Sequence, residues 1–489
     1  MTPTGVRETS SVDRRAGADE AIPLIVDVDG TLIRTDLLKE AMLQMVARFP
    51  LEAWQLAPWL LAGKAAFKSR IADRVEPGIA TIPLREETMA LIRRAQEEGR
   101  PVYLASASDH RYVARLAERI GGIAGIFATD PGTNLAGKAK AARLVQAFGE
   151  GGFDYVGDQP VDFPVWRAAR KALAVAHSDS FERRVLRAFP DAEVIGRPRP
   201  RLRAYIKMLR PQQWAKNLLI FLPLIAGHAF NWEQILAAVL AFACFCSAAS
   251  SAYVVNDLLD LPADRGHARK RNRPLAAGAV PIDHGLLIAM LLMAASILMA
   301  LQLPWEFAAT LIVYVASTLC YSFILKRKVL IDVIVLSGLY TLRVFGGVVA
   351  IGNEQSQWLL MFSLFLFLDL ALLKRCSELI ARKLEGGVRT AGRGYRIEDL
   401  SILFPLGAAA GMASVLVVAL YLSSPKVAAL YGHPSRLWLI CPLLIYWNSR
   451  LLLLSHRGDM HDDPLIFTFT DRVSWIAGAC IAAVIAISI

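Results

Sequence analysis

A chain of 489 residues, 55% of them hydrophobic and with a mean hydropathy of +0.41, is too long for one typical domain and too oily to be wholly water-soluble. Its net charge of +11 would suit a nucleic-acid partner. The Lys and Arg residues, however, cluster between apolar runs instead of forming one basic face with interleaved aromatics, so membrane topology accounts for them and nucleic acid is not expected.

The oil is unevenly spread along the chain. Residues 1–20, "MTPTGVRETSSVDRRAGADE", have no apolar core for a secretory signal and read as a disordered tail. Residues 21–196 carry mixed charge and short apolar runs, the pattern of a soluble α/β domain, and a linker or interfacial segment follows over 197–212. From 213 to the end the chain repeats apolar runs near the roughly 20 residues that span a bilayer. The expectation is therefore a soluble domain fused to a membrane domain.

In the soluble part, "IPLIVDVDGTLIRTD" (22–36) is an apolar run that ends in Asp27, Asp29, Gly30 and Thr31. A buried parallel strand followed at once by Asp and Gly fits a loop at the carboxyl edge of an α/β sheet, where active sites gather. Period-2 spacing sends Asp27 and Asp29 to the same side. A second run, "PVYLASAS" (101–108), ends in Ser106. Lys138 follows in "LAGKAKAARLV", and a third run, "FDYVGDQPVD" (153–162), ends in Asp158 and Asp162.

These four stretches resemble the motifs of the haloacid dehalogenase-like (HAD) phosphatase superfamily. The resemblance implies a parallel Rossmann-like sheet with a helical cap over about 37–98. It also implies that Asp27 attacks phosphorus to form an aspartyl phosphate and that Asp29 acts as general acid and then base. Mg²⁺ would be held by Asp27 and Asp158, with Asp29 also counted among the metal carboxylates. Ser106 would bond the phosphoryl oxygens, Lys138 would neutralise charge, and Asp162 would orient Lys138 or the metal shell. Ser108 competes for the Ser106 role, or caps the next helix. A scaffold that has lost its activity is the alternative.

In the membrane part, apolar segments fall near 213–230, 234–255, 283–302, 305–325, 329–351, 358–374, 401–422, 436–454 and 473–489, which predicts an all-α bundle of about nine helices. The loops near 228–233, 301–306 and 352–357 hold no Lys or Arg, whereas 256–282, 326–328 and 374–396 are rich in them. The positive-inside rule places the basic loops and the N-terminal domain in the cytoplasm, at the inner membrane of the cell, with Lys426 and Arg436 as mild exceptions. The six Cys lie in or beside apolar runs without metal-ligand spacing, so they read as small core residues and leave the redox compartment open.

The stretch "NDLLDLPADRGHARKRNRPLAAG" (256–278) interrupts this oil with charge. Asp257, Asp260 and Asp264 are spaced i, i+3, i+7, with Asn256 four before Asp260. If the helix continues through them they share one face, and converging carboxylates suit Mg²⁺ and a substrate's phosphates. Arg265, Arg269, Lys270, Arg271 and Arg273 can neutralise the rest of a polyanion, although a solvated positive-inside loop explains the bases equally well. Arg343, close to Tyr340 in "LYTLRVFGG", is expensive in a membrane helix without a ligand or partner, and a ligand is the preferred reading.

"NDLLDLPAD" matches the N-D-x-x-D-x-x-x-D signature of the UbiA superfamily of intramembrane prenyltransferases, and the likeness covers about 203–489. The superfamily's second Asp-rich motif is missing, since "LDLALLKRCSELIARK" puts Lys374, Arg375 and Glu378 in its place. With "LRPQQWAKNLLIFLPL" (209–224), "LIDVIVLSGLYTLRVFGGVVA" (330–350) and "DDPLIFTFTDR" (462–472), the sequence resembles the decaprenyl-phosphate phosphoribosyltransferase branch most.

That branch implies transfer from phosphoribosyl pyrophosphate to a polyprenyl phosphate at the membrane, with release of pyrophosphate. Asp257 and Asp260 would hold Mg²⁺, with Asn256 and Asp264 completing or orienting the shell. Lys216, Arg271, Arg273, Lys374 and Arg375 would meet phosphates, and Tyr340 and Arg343 would face the ligand. Glu378 is either catalytic or a helical partner of Lys374. Asp462, Asp463 and Asp471 are left as second-shell or exposed acids. The fusion suggests that the soluble half removes the 5-phosphate the membrane half installs. Rival readings are a UbiA-type aromatic prenyltransferase using a prenyl diphosphate, and a transporter or lipid-binding scaffold. The sequence leaves oligomeric state open, a homo-oligomer included.

Overall fold

A computed structural model of the chain describes residues 21–488 except 131–132, 197–201, 228–229, 353–355, 385–393, 426, 428–430 and 461–462. The expected tail (1–20), Lys426, Asp462 and part of the expected linker lie outside the described residues. The chain divides into two compact units. One comprises Met1–Arg201 with Leu261–Asn272 and Ala276–Pro281, the other Leu202–Asp260, Arg273–Leu275 and Ile282–Ile489.

The first unit is built on six parallel strands: β1 (Leu24–Asp27), β2 (Val102–Asp109), β3 (Gly125–Thr129), β4 (Asp154–Gly157), β5 (Lys171–Val175) and β6 (Glu193–Gly196). Their order is β3-β2-β1-β4-β5-β6, so β1 lies between β2 and β4. Every residue of β1 is buried, as an unbroken apolar run in a sheet covered on both faces requires. Alternation sends Leu24 and Val26 into a core with Ile92, Val113 and Leu116, and Ile25 into the opposite core with Leu144, Val165 and Trp166.

The stretch 37–98 contains helices Leu37–Arg48, Leu56–Leu61, Lys64–Arg74 and Glu86–Glu97 with shorter turns between them. All but Leu56–Leu61 contribute buried residues to the core that covers the sheet: Leu37 and Ala41, Phe67 and Ile71, and, from the last helix, Met89, Ile92 and Ala95. Asp109, not Ser108, caps the helix His110–Ile120 by accepting from Arg111 N at 3.0 Å.

Within the first unit Arg265 is buried. Its guanidinium grips the equally buried Glu40 through Nη1 at 3.0 Å and Nη2 at 2.6 Å, while Nε donates to Ala276 O at 2.9 Å. Arg269, Lys270 and Arg271 of this stretch are exposed.

The second unit is helical. Among the described residues six helices are long and apolar enough to cross a membrane: Trp232–Leu259, Ile282–Ala300, Trp305–Phe323, Ile331–Ala350, Ile397–Leu422 and Pro434–Arg457. The pair Pro464–Thr470 and Arg472–Ala486, bent by 80°, makes a seventh if it is one span. The expectation of nine is therefore not met among the described residues. The stretch expected as the first span is instead tight 3₁₀ turns over Pro211–Phe221 followed by the short helix Leu222–Ala226, with Pro211 and Pro223 each at a start. The expected span at 358–374 lies within Gln357–Leu384, a helix of 28 residues that carries Asp369, Lys374 and Arg375 and is not among the six.

Helix Trp232–Leu259 also stops sooner than the carboxylate spacing needs. Asp260 is its C-cap, and a separate turn, Leu261–Arg265, follows. Pro262 explains the break, because it has no N–H to give and its ring opposes the carbonyl four residues back. A close approach occurs at Gly347, where a Cβ would lie 2.2 Å from Ile220 O, so only glycine lets the helix Ile331–Ala350 meet the 211–221 turns.

Asp154 gives the first unit a measurable acid limit. Burial works to raise its pKa, but bonds from Arg170 (2.8 and 2.7 Å) and Arg100 (2.5 Å) prevail and hold it below 3.8. A folded value below the unfolded one means the stabilisation is complete above the unfolded pKa and disappears as pH falls through the folded one. Arg170→Ala should therefore move acid unfolding of this unit to higher pH, read by limited proteolysis of the full chain across a pH series.

Candidate functional sites

The first unit's site forms at the carboxyl edge of β1, β2 and β4. Asp27, at the end of β1, is buried and takes Lys140 Nζ on Oδ1 at 2.6 Å and Thr31 Oγ1 on Oδ2 at 3.4 Å. Asp158, after β4, accepts from Thr31 Oγ1 at 3.0 Å. Asp162 lies 3.7 Å from Lys140 and accepts from Tyr155 OH at 2.9 Å and from the backbone N–H of Asp158 and Gln159. Gly30, at φ +79°, closes the turn, and a Cβ there would sit 2.1 Å from Asp158 Oδ2. Burial first, and then the neighbouring acids, push the Asp27 carboxyl well above its ordinary 3.8 against the pull of Lys140. Asp27 and Asp162 hold the Lys140 ammonium above its ordinary 10.5 against burial.

Four expectations are revised here. Lys138 is exposed, and the lysine on Asp27 is Lys140, two residues further along the same helix. Asp29 lies outside the group of carboxylates whose ligand atoms come together. It accepts from Leu37 N at 2.8 Å, Ser106 Oγ at 2.9 Å and Ser108 Oγ at 2.7 Å. The two serines share that acid, so neither displaces the other. Asp162 takes the third ligand position instead, since Asp27, Asp158 and Asp162 can bring ligand atoms within 4.8 Å of one another. Three buried carboxylates against one ammonium leave a charge deficit that suits a divalent cation.

Two residues here gave no sequence signal. His177, past the end of β5, places Nε2 2.6 Å from Asp158 Oδ2. Lys68, on Lys64–Arg74, donates to Ala107 O at 2.5 Å and Asn134 Oδ1 at 2.7 Å, and burial lowers its pKa.

In the second unit, Asp257 is buried and held by Arg210 and by Arg273 Nη1, the latter at 3.1 Å. Arg210 adopts φ +53°, a left-handed conformation costly for a side chain, which turns the chain just before Pro211. Asp260 is 3.5 Å from Lys326. Asp264 belongs to the first unit. Among the described residues these acids do not gather into a metal-ligand group. Both are engaged by cations here, and no metal step is derived for them. Asn256 is half-buried beside Asp257.

A second cluster collects cations. Lys216 Nζ reaches Asp463 Oδ2 at 3.1 Å, and Lys374 Nζ bonds the same oxygen. Lys216 also lies 5.6 Å from the Tyr340 ring centroid. Two ammonium groups on one carboxylate leave a net positive charge, the condition for holding an anion. Asp463, which caps helix Pro464–Thr470, was left unassigned by the sequence.

Other expected ligand residues are used by the fold. Arg375 is buried: Nε lies 2.8 Å from Asp332 Oδ2 without pointing its N–H at that oxygen, Nη1 donates to Glu378 Oε2 at 2.5 Å, and Nη2 to Tyr321 OH at 3.3 Å. Its guanidinium is thus engaged by groups of the protein itself, and Glu378 bonds Arg375 while also facing Lys374 electrostatically. Arg343 donates to Asn217 Oδ1 (2.8 Å), Leu339 O (2.5 Å) and Tyr314 OH (2.9 Å), so its partners are neutral groups and neither a ligand nor an Asp is needed. Asp471 holds Arg450 through both oxygens, at 2.6 and 3.0 Å.

A parallel α/β unit with a clustered-Asp site, joined to an apolar helical unit with polar clusters, defines an integral membrane protein that carries a hydrolase-like unit. The chain belongs to the UbiA prenyltransferase family, which it matches over residues 218–486, and residues 24–167 match the haloacid dehalogenase-like hydrolases. It is 37% identical to the uncharacterized protein y4nM of Sinorhizobium fredii over 95% of this chain and 90% of that one. It is 35% identical to the nodulation protein NoeC of Azorhizobium caulinodans over 56% of this chain and 89% of that one. It is also 37% identical to the decaprenyl-phosphate phosphoribosyltransferase of Mycolicibacterium smegmatis, over 44% of this chain and 70% of that one.

Removing one partner of a buried ion pair leaves an uncompensated charge and costs about 3–5 kcal/mol. Asp332→Ala should accordingly lower the thermal midpoint of the protein in detergent, whereas Lys374→Met, at a site only partly closed from water, should lower it much less.

Proposed function

We propose that this protein transfers the 5-phosphoribosyl group of phosphoribosyl pyrophosphate to a polyprenyl phosphate, and that its hydrolase-like unit then removes the 5-phosphate. The observation that carries the first step is the net-positive cluster of Lys216 and Lys374 on Asp463, where a prenyl-diphosphate site of the expected type would offer carboxylates. Two Lys groups favour a donor or acceptor rich in phosphate. The relatives named decaprenyl-phosphate phosphoribosyltransferase support the same choice. In the reaction the bond from C1 of ribose to the pyrophosphate oxygen breaks, and a bond from C1 to an oxygen of the lipid phosphate forms. The lipid phosphate is already an oxyanion, so no side-chain base is needed, and Lys216 and Lys374 lower the repulsion between the two phosphate-bearing substrates. The basic loops support a cytoplasmic side for these sites and the hydrolase-like unit.

For the second step, Asp27 attacks the 5-phosphate, the P–O5′ bond breaks, and Asp29 gives the leaving oxygen its proton. Water attack activated by Asp29 then releases phosphate from Asp27. Lys140 holds Asp27 in line and offsets charge on the phosphoryl oxygens, and Ser106 and Ser108 keep Asp29 in place. Mg²⁺ bound by Asp27, Asp158 and Asp162 would neutralise the phosphoryl group.

Purified protein given Mg²⁺, polyprenyl phosphate and either phosphoribosyl pyrophosphate or a prenyl diphosphate should release pyrophosphate only with the former. Release from the prenyl diphosphate alone would overturn the donor assignment. Lys216→Ala and Lys374→Ala should each raise KM for phosphoribosyl pyrophosphate. Asp27→Asn should accumulate the 5-phosphorylated lipid, and products identical to wild type would sink the second step.

The two lysines of "GKAKA" separate cleanly in the same assay. Lys140→Ala should cut lipid dephosphorylation by about 10²-fold or more, the scale of removing one charge-stabilising group. Lys138→Ala should leave it unchanged.

A further inference from the structure

The first unit displays an apolar surface that its own core does not use. Leu51, Trp54, Leu60 and Leu61 are 90%, 70%, 54% and 89% exposed, and they are four of the six large hydrophobic residues this unit exposes among its described residues. All four lie on the short helical turns Pro50–Gln55 and Leu56–Leu61. Ala57, Pro58, Ala62 and Gly63 between and after them are exposed as well. From Leu51 to Gly63 the one ionisable residue is Glu52, which is spent on Arg74 at 2.9 Å. Exposed Arg48 and Lys64 flank the stretch.

A concentrated patch of Leu and Trp bordered by bases is the composition of a surface that lies in the headgroup boundary of a bilayer: Trp is at home at the interface, Leu enters the acyl region, and Lys and Arg meet anionic headgroups. The unit cannot drift from such a bilayer. Its segments Leu261–Asn272 and Ala276–Pro281 are covalently continuous with the ends of the membrane helices Trp232–Leu259 and Ile282–Ala300. We propose that Leu51, Trp54, Leu60 and Leu61 insert into the headgroup boundary of the membrane as a monotopic anchor of the hydrolase-like unit. The helix that follows the anchor, Lys64–Arg74, carries Lys68 to Ala107 at the carboxyl end of β2, beside Ser106 and Ser108. The anchor thereby brings the site to phosphates borne on lipid, a use that rests on the function proposed above, whereas the insertion itself does not.

The test uses the full chain in nanodiscs of phosphatidylcholine and phosphatidylglycerol, with Cys320, Cys441 and Cys480 replaced by Ala and a nitroxide at Leu61→Cys. The label should collide with oxygen more than with a water-soluble nickel chelate, and a label at exposed Glu97→Cys should show the reverse. Chelate access at 61 equal to that at 97 would overturn the anchor. So would dipolar coupling between two Leu61 labels, which would assign the patch to a second copy.

A second variant reads the use of the anchor. Trp54→Glu combined with Leu61→Glu should lower hydrolysis of a lipid-borne phosphomonoester about tenfold or more while leaving p-nitrophenyl phosphate hydrolysis unchanged. Equal loss on both substrates would overturn the coupling of anchor to substrate. A label in lipid with no hydrolysis of either substrate by wild type would refute the phosphatase reading and leave the anchor standing.

Discussion

The constraint on which both units depend is that a charge removed from water must be met by an opposite charge or by donors. In the membrane unit this decides which polar residues are structural. Arg375, among the largest fully buried side chains, is held between Asp332 and Glu378, with Tyr395 bonded to Asp332 at 2.5 Å. A guanidinium in hydrocarbon that lost this environment would cost several kcal/mol. Asp369 is the contrasting case: it is buried beside Gly407 and Gly411, and no ion pair forms on it among the described residues. The same rule, read for surplus, picks out Lys216 and Lys374, whose single shared carboxylate leaves positive charge over.

In the hydrolase-like unit the balance runs the other way. Asp27, Asp158 and Asp162 converge, with Lys140 on Asp27 and Asp162 and His177 on Asp158. The sheet order makes that convergence possible, because β1 lies between β2 and β4 and the three carboxyl edges turn their loops to one place. A carboxylate surplus favours a cation, a cation surplus favours a phosphate, and the two units present one of each.

Much of the first site was legible because strand ends in a parallel sheet are nearly fixed points. An apolar run followed by Asp27-Val28-Asp29-Gly30-Thr31 can end at little else than a carboxyl edge. The assignment of Lys138 failed one short step from that certainty. "GKAKA" offers two lysines at the start of a helix, and only the helix phase, with Lys140 inward and Lys138 outward, separates them. His177 and Lys68 were invisible for a different reason: each is brought to the site by packing from a distant part of the chain and follows no motif. In the membrane unit, counting apolar runs does not give the six or seven spans found among the described residues, because composition registers oil but not the Pro-broken turns of Pro211–Phe221 or the 80° bend after Thr470.

What the sequence determined by itself is the class of each half and the identity of the acids at its strand end, since burial pattern, strand period and motif spacing are local. What only the tertiary structure decided is who neutralises whom. Arg375 pairs with Asp332 across 43 residues of sequence, Lys216 and Lys374 meet on Asp463 from 247 and 89 residues away, and Pro262 ends the helix that would have aligned Asp264 with Asp257. Ion pairs are set by through-space distance in a medium that punishes isolated charge, and through-space distance is the quantity a linear sequence does not carry.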